Sequence, residues 1–114
     1  MVRIYGIPNC DTIKKARQWL SDNEIDYEFH DYKKAGIDET MLKPWIKSLG
    51  WEALLNKRST SWRQLDEQIK SNLSEKTAIE VMLQTPSIIK RPLLDDGENL
   101  YLGFKAEQYS QIFS

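Results

Sequence analysis

Apolar and polar positions alternate along the chain with two different periods, and the change of period marks the elements. Val2 to Tyr5 is short and β-prone and is closed by Gly6, which predicts a strand. From Asp11 to Asp22 the apolar residues Ile13, Ala16 and Leu20 recur at helical spacing with Trp19 beside them. Lys14, Lys15, Arg17 and Gln18 take the other positions, so the stretch predicts an amphipathic helix. Ile25, Tyr27 and Phe29 then alternate with Asp26, Glu28 and His30, the period-two pattern of a half-buried strand. Strand, helix and strand in this order predict parallel pairing through a right-handed crossover.

The middle of the chain reads as helical. Asp38 is placed to cap a helix carrying Leu42, Trp45, Ile46 and Leu49, with Gly50 as its stop. Pro44 conflicts with that start, because a proline inside a helix removes a hydrogen bond. A start near Thr40 and a kink at Pro44 are the two alternatives. Trp51 to Leu55 predicts a further helical turn, and Asn56 to Ser61 a polar loop. Trp62, Leu65 and Ile69 predict one short helix, and Ser74 opens another with Ile79, Met82 and Leu83 inward and Pro86 beyond its end.

The end of the chain returns to strands. Ser87 to Leu94 is apolar with Pro92 inside it, which places Pro92 at an edge, a bulge or a strand start. Asp95 to Glu98 is a hairpin signal, Asn99 to Leu102 the returning strand, and Phe104 to Phe113 a closing helix. The expected order is β-α-β, helices, β-β-α. No repeat, low-complexity tract or linker interrupts the 114 residues, so one domain is expected over 1–114, with a helical insertion at about 36–86.

Composition narrows the function. The net charge is −1, with 16 basic and 17 acidic residues interspersed, so no electrostatic footprint for nucleic acid is present. No apolar run approaches the roughly 18 residues that a membrane span needs. The start of the chain is too quickly interrupted by Arg3 to be a signal peptide. A single cysteine forms no internal disulfide, and the cytoplasm is the expected compartment. No metal-ligand spacing, phosphate loop or nucleotide motif is present.

That cysteine, Cys10, carries the candidate chemistry. It lies in Ile7-Pro8-Asn9-Cys10-Asp11-Thr12, between the first strand and the first helix. A lone cysteine is most often a small buried hydrophobe. A loop-to-helix junction, however, is a poor place for a core residue and a good one for a site. The partial positive charge of a helix N-terminus favours the thiolate, the reactive form of the side chain. Lys14 and Lys15 are expected to help it and Asp11 to oppose it. Arg91, before Pro92 on an otherwise apolar strand, is a second candidate. His30 reads as a surface strand histidine, and the four tryptophans read mostly as core.

Taken together, several stretches make the chain resemble the arsenate reductase-like family almost end to end. They are Tyr5 to Thr12, Phe29 to Lys33, Gly50 to Arg58, Met82 to Pro86, Ile89 to Pro92 and Gly103-Phe104. The family includes Spx-type regulators and a YffB-type branch, and the match to that branch is the best. The resemblance implies an α/β, thioredoxin-like fold with a mixed central sheet. It also implies a nucleophilic role for Cys10, an oxyanion- or thiolate-binding Arg91 and a cis Pro92. Two departures bear on substrate. Arsenate reductases of this type use three arginines, whereas Asn56 stands at the first of these positions and Phe104 at the third, with Arg58 and Lys105 nearby. Spx-type regulators often carry a second cysteine three residues after the first, where this chain has Ile13.

What the resemblance implies for activity is a glutathione-dependent thiol reductase. Cys10 is expected to be a thiolate stabilised by the helix N-terminus and one or both of Arg58 and Arg91, with Asn9 and Thr12 expected to supply polar contacts near the sulfur. Glutathione is the expected co-substrate, and glutathione or a glutaredoxin the external thiol that releases the enzyme. Arsenate reduction and a non-catalytic regulator that binds RNA polymerase are the alternatives.

Overall fold

The computed structural model describes residues 2–114. The chain forms two compact units, Met1–Asp31 with Arg91–Ser114, and Tyr32–Lys90.

The first unit is a four-stranded mixed sheet with two helices. Its elements are β1 (Val2–Gly6), α1 (Asp11–Asp22), β2 (Tyr27–Asp31), β3 (Leu93–Asp95), β4 (Leu100–Leu102) and α8 (Ala106–Ile112). The strand order is β2-β1-β3-β4. β1 runs parallel to β2, with Ile4 opposite Phe29, and antiparallel to β3, with Ile4 opposite Leu94. β1 is therefore a central strand, and Ile4 and Tyr5 are buried on its opposite faces. Ile4 and Leu94 pack with Ala16 and Leu20 of α1 and Tyr109 of α8, so one face of the sheet is covered by the apolar stripes of both helices. Trp19, Phe104 and Phe113 complete that core with rings 4.7 to 6.2 Å from Tyr109.

The first helix keeps the bounds that its periodicity predicts. β2 begins two residues later than Ile25, because the Ile25 N–H is used at the end of α1, where it donates to the Leu20 carbonyl at 2.9 Å. Glu24, at φ 57°, turns the chain there. His30 is half-buried, and its ring lies 5.1 Å from that of Tyr5. β3 starts only after Pro92, since the apolar Pro86–Ile88 stretch is a 3₁₀ turn. The hairpin after β3 is closed by its acidic residues. Asp95 accepts from the Gly97 N–H, and Asp96 from those of Glu98 and Asn99.

The second unit is helical: α2 (Tyr32–Ala35), α3 (Glu39–Leu49), α4 (Trp51–Leu54), α5 (Thr60–Arg63), α6 (Glu67–Ser71) and α7 (Glu75–Gln84), followed by the 3₁₀ turn. Asp38 caps α3 by accepting from the Met41 N–H at 2.9 Å, so the helix does not start at Thr40. Pro44 sits inside α3, and both Pro44 and Thr40 (whose carbonyl loses its i+4 donor) are exposed, where water replaces the missing bond. The expected helix over Trp62, Leu65 and Ile69 is two separate turns. Ser59 caps the first and Asp66 the second, and Ile69 is 41% exposed. Side chains that accept from nearby backbone N–H groups start new helices, and two such residues outweigh one apolar period. α7 carries a capping box between Ser74 and Thr77. Its buried face is Ala78, Val81 and Met82, rotated from the expected one, with Ile79 and Leu83 half-buried. Leu55 bridges Ile89, and the Lys90 N–H donates to the Leu54 carbonyl at 2.7 Å. Of the tryptophans, Trp45 is buried and Trp19, Trp51 and Trp62 are half-buried.

Candidate functional site

Three short stretches of the first unit meet at Cys10. The end of β1 delivers the chain to a tight turn, Ile7-Pro8-Asn9-Cys10, closed by the Cys10 N–H on the Ile7 carbonyl at 3.4 Å. Pro8 occupies the second position of that turn, where its fixed φ is already correct. Cys10 then becomes the N-cap of α1, with extended backbone at φ −92° and ψ 126°. Its carbonyl accepts the first helical bond, from the Lys14 N–H at 3.0 Å.

Gly6 sets the close approach. A Cβ placed on Gly6 would lie 2.9 Å from Ile13 Cγ1 and 3.5 Å from the Cβ of Arg91. The strand end can therefore pass directly beneath the first turn of α1, with Arg91 alongside, only because no side chain intervenes. Arg91 is half-buried and joined to Pro92 by a cis peptide bond, in line with what the family resemblance implies.

The electrostatics at the sulfur follow from this arrangement. Burial pushes the Cys10 thiol up. The backbone N–H groups of Ile13 and Thr12 and the guanidinium of Arg91 act against burial and outweigh it, leaving the thiol below its ordinary value. Cys10 is half-buried, so its sulfur remains accessible from solvent. Sulfur is a weak acceptor, and no capping hydrogen bond of standard geometry forms; the stabilisation is that of a negative charge facing unpaired helix N–H groups.

The expected residues are distributed as follows. Cys10, Thr12 and Arg91 come together, and Thr12 contributes its backbone N–H. Asn9 is exposed at the tip of the turn, and Pro92 is buried. Arg58 lies in the second unit, exposed in the loop before α5, where its N–H donates to Asn56 Oδ1 and its carbonyl accepts from Arg63. Lys14, Lys15 and Asp11 are exposed and are not among the groups that shift the thiol. Water screens those charges, so the expectation that they tune Cys10 is corrected in favour of Arg91. Two contributors escape a reading of side chains alone. Ile13 acts through its backbone while its side chain is core, and Gly6 acts through having no side chain. Among the described residues, no group of three or more potential metal ligands occurs. Among the described residues, no helix is long and apolar enough to cross a membrane.

A family model described as the ArsC family matches residues 5–112. The solved structure of an arsenate reductase (ArsC) related protein from Brucella melitensis is 50% identical, with a TM-score of 0.79 over 99% of this chain and 94% of that one. The structure of a protein named YFFB is 46% identical, with a TM-score of 0.95 over all of both chains. A global transcriptional regulator Spx from Streptococcus pyogenes is 28% identical over 100% of this chain and 86% of its own length.

Proposed function

The chain belongs to the ArsC family, and on that footing we propose that it is a glutathione-dependent thiol reductase with Cys10 as its nucleophile. The observation that carries this reading is the accessible Cys10 sulfur facing the N–H groups of Ile13 and Thr12 and the Arg91 guanidinium, which together favour the thiolate.

In the first step the Cys10 thiolate attacks the glutathione sulfur of a mixed disulfide. A Cys10–glutathione disulfide forms, and the substrate sulfur leaves as a thiolate. In the second step an external thiolate, from glutathione or a glutaredoxin, attacks the glutathione sulfur now held on Cys10. A new disulfide leaves and Cys10 returns as the thiolate. Each step breaks one disulfide and forms one, so a single external thiol is consumed per turnover and leaves in the new disulfide with the glutathione taken from the substrate. Cys10 is the chain's single cysteine, so no internal thiol can take over the second step. Arg91 compensates charge as thiolates come and go. Arg58 is proposed as a second cation for the tripeptide's carboxylates, with Asn9 and Thr12 as polar contacts.

Replacing Cys10 by Ser should abolish turnover of a glutathionylated substrate while leaving the circular dichroism spectrum and melting temperature close to wild type. Retained turnover in C10S would end the proposal. A second reading, a regulator that binds RNA polymerase without catalysis, is supported by the similarity to the Spx protein. It predicts capture of RNA polymerase by wild-type protein and C10S alike, with no turnover in either. Arsenate reduction predicts arsenate-dependent oxidation of glutathione. Asn56 and Phe104, at two positions where arsenate reductases of this type carry arginine, weaken the binding of a doubly charged oxyanion.

A further inference from the structure

Outside the Cys10 site, the first unit holds an arginine fixed in place without a carboxylate partner. Arg17, on α1, stacks its guanidinium over the ring of Phe29 at 4.3 Å and lies 5.9 Å from that of Tyr27. Its Nε donates to the Tyr27 hydroxyl at 3.1 Å. Three contacts from β2 thus hold the plane of the guanidinium, while its terminal nitrogens have no hydrogen bond or ion pair to any described residue. A surface arginine is ordinarily mobile or paired; one immobilised by neutral groups is pre-organised for a planar anion. It lines an open cleft of about 290 Å³ with Lys14, Gln18, Ser21 and Tyr27. Lys14 is also without an ion pair among the described residues. Of the acidic groups on α1, Asp22 is engaged by Gln18 at 2.7 Å, and Asp11, three residues before Lys14, is exposed and makes no ion pair with it.

The position of this cleft relative to Cys10 gives it a meaning. Cys10, Lys14, Arg17, Gln18 and Ser21 are spaced i, i+4, i+7, i+8 and i+11, which puts them on one face of α1. Seven residues at 1.5 Å each set Arg17 about 10 Å along the helix from Cys10. An extended peptide rises about 3.3 Å per residue, so a carboxylate three residues from an attacked sulfur spans the same distance.

We propose that the Lys14–Arg17 cleft is a carboxylate subsite, and that it selects polypeptide disulfides with an acidic side chain about three residues from the cysteine that Cys10 engages. The inference deepens the thiol-reductase reading and rests on it for its link to turnover: with these substrates Cys10 attacks the polypeptide sulfur, the other thiolate of the disulfide leaves, and glutathione then displaces the polypeptide thiolate from Cys10 to give the same Cys10–glutathione disulfide. The guanidinium takes the carboxylate in a forked pair and Lys14 adds charge between the fork and the sulfur. A glutathione carboxylate has the same chemistry but sits closer to its own sulfur.

The test uses two four-residue peptides, each with an activated disulfide on its first residue, a cysteine, and with aspartate or asparagine as its fourth. Single-turnover modification of Cys10 is followed by mass spectrometry. Wild-type protein should react with the aspartate peptide about tenfold faster at low salt, the difference expected of one charge-assisted pair. The ratio should fall towards one in Arg17→Gln, remain low in Arg17→Lys, which keeps the charge but loses the fork, and fall in part in Lys14→Gln. Equal rates in wild-type protein, or an undiminished ratio in R17Q, would overturn the subsite. A tenfold dependence on Arg17 for glutathione disulfide and not for the peptides would overturn the choice of a polypeptide source. If Cys10 attacks neither peptide, the thiol-transfer reading fails, and a separate titration still decides the subsite. The aspartate peptide with serine in place of its cysteine should shift the Arg17 Nε–H resonance in an NMR spectrum, and the asparagine peptide should not. No shift with either would overturn it.

Discussion

At Cys10 two opposing effects are set against each other within one turn of helix. Partial burial disfavours the thiolate, and two backbone N–H groups with one guanidinium favour it more strongly. Lys14 and Lys15, the cations nearest to Cys10 in the sequence, stay in solvent, while Arg91, eighty-one positions away, is brought in by the fold. A charge in water is worth little at a neighbouring site, and a half-buried one in contact is worth much more. Another residue shows the same contrast of contact and solvent. Tyr109 is fully buried among Trp19, Phe104 and Phe113, and its hydroxyl has no hydrogen-bond partner among the described residues. Burial also raises its pKa, so it stays neutral at any working pH. Removing a buried hydroxyl that has no partner removes a desolvation cost. Tyr109→Phe should leave the unfolding free energy unchanged or raise it by about 1 kcal/mol in chemical denaturation. A loss of more than about 1 kcal/mol would mean that the hydroxyl has a partner, such as a buried water.

At the scale of elements, the site depends on how closely β1 passes under α1. Gly6 permits that approach, and its missing side chain leaves room for Ile13, fully buried, and for Arg91. Gly6→Ala should therefore act twice. Overpacking against Ile13 should cost about 1–3 kcal/mol of stability. Displacing the first turn of α1 or Arg91 should move the Cys10 thiol back up, seen as slower alkylation at neutral pH. A variant that loses stability while its alkylation is unchanged would show that the site tolerates the shift. The same scale explains what the sequence made legible. α1 was readable to its end residues because apolar period, an exposed polar face and flanking loop residues all agreed. The turns α5 and α6 were not, because Ser59 and Asp66 end and restart the helix within a stretch whose apolar spacing looked continuous. Of the three places open to Pro92 the strand start agrees with β3 at Leu93–Asp95, while the apolar residues before it do not extend that strand, because apolar composition does not separate a buried 3₁₀ turn from a strand.

For the molecule as a whole, the chain comprises a sheet unit that contains Cys10 and Arg91 and a helical unit that contains Arg58. The mixed sheet, with its order β2-β1-β3-β4, has the topology that the β-α-β and β-β-α halves implied. Cys10 and Arg91 were legible as site residues because each was out of place: a cysteine at a helix start, an arginine in an apolar stretch. The backbone of Ile13 and the absent side chain of Gly6 were not, because their contributions are geometric and leave no mark in residue chemistry. Membership of the ArsC family accounts for the architecture and points to a family of thiol-based reductases, and the proposed thiol-reductase reading turns on the state of one sulfur. The most direct test is the rate of Cys10 alkylation against pH in the folded protein, beside Arg91→Gln. A stabilised thiolate predicts a midpoint clearly below the ordinary thiol value of about 8.5, moved upward in R91Q. A wild-type midpoint at or above about 8.5, or no reaction until the protein unfolds, would contradict the account.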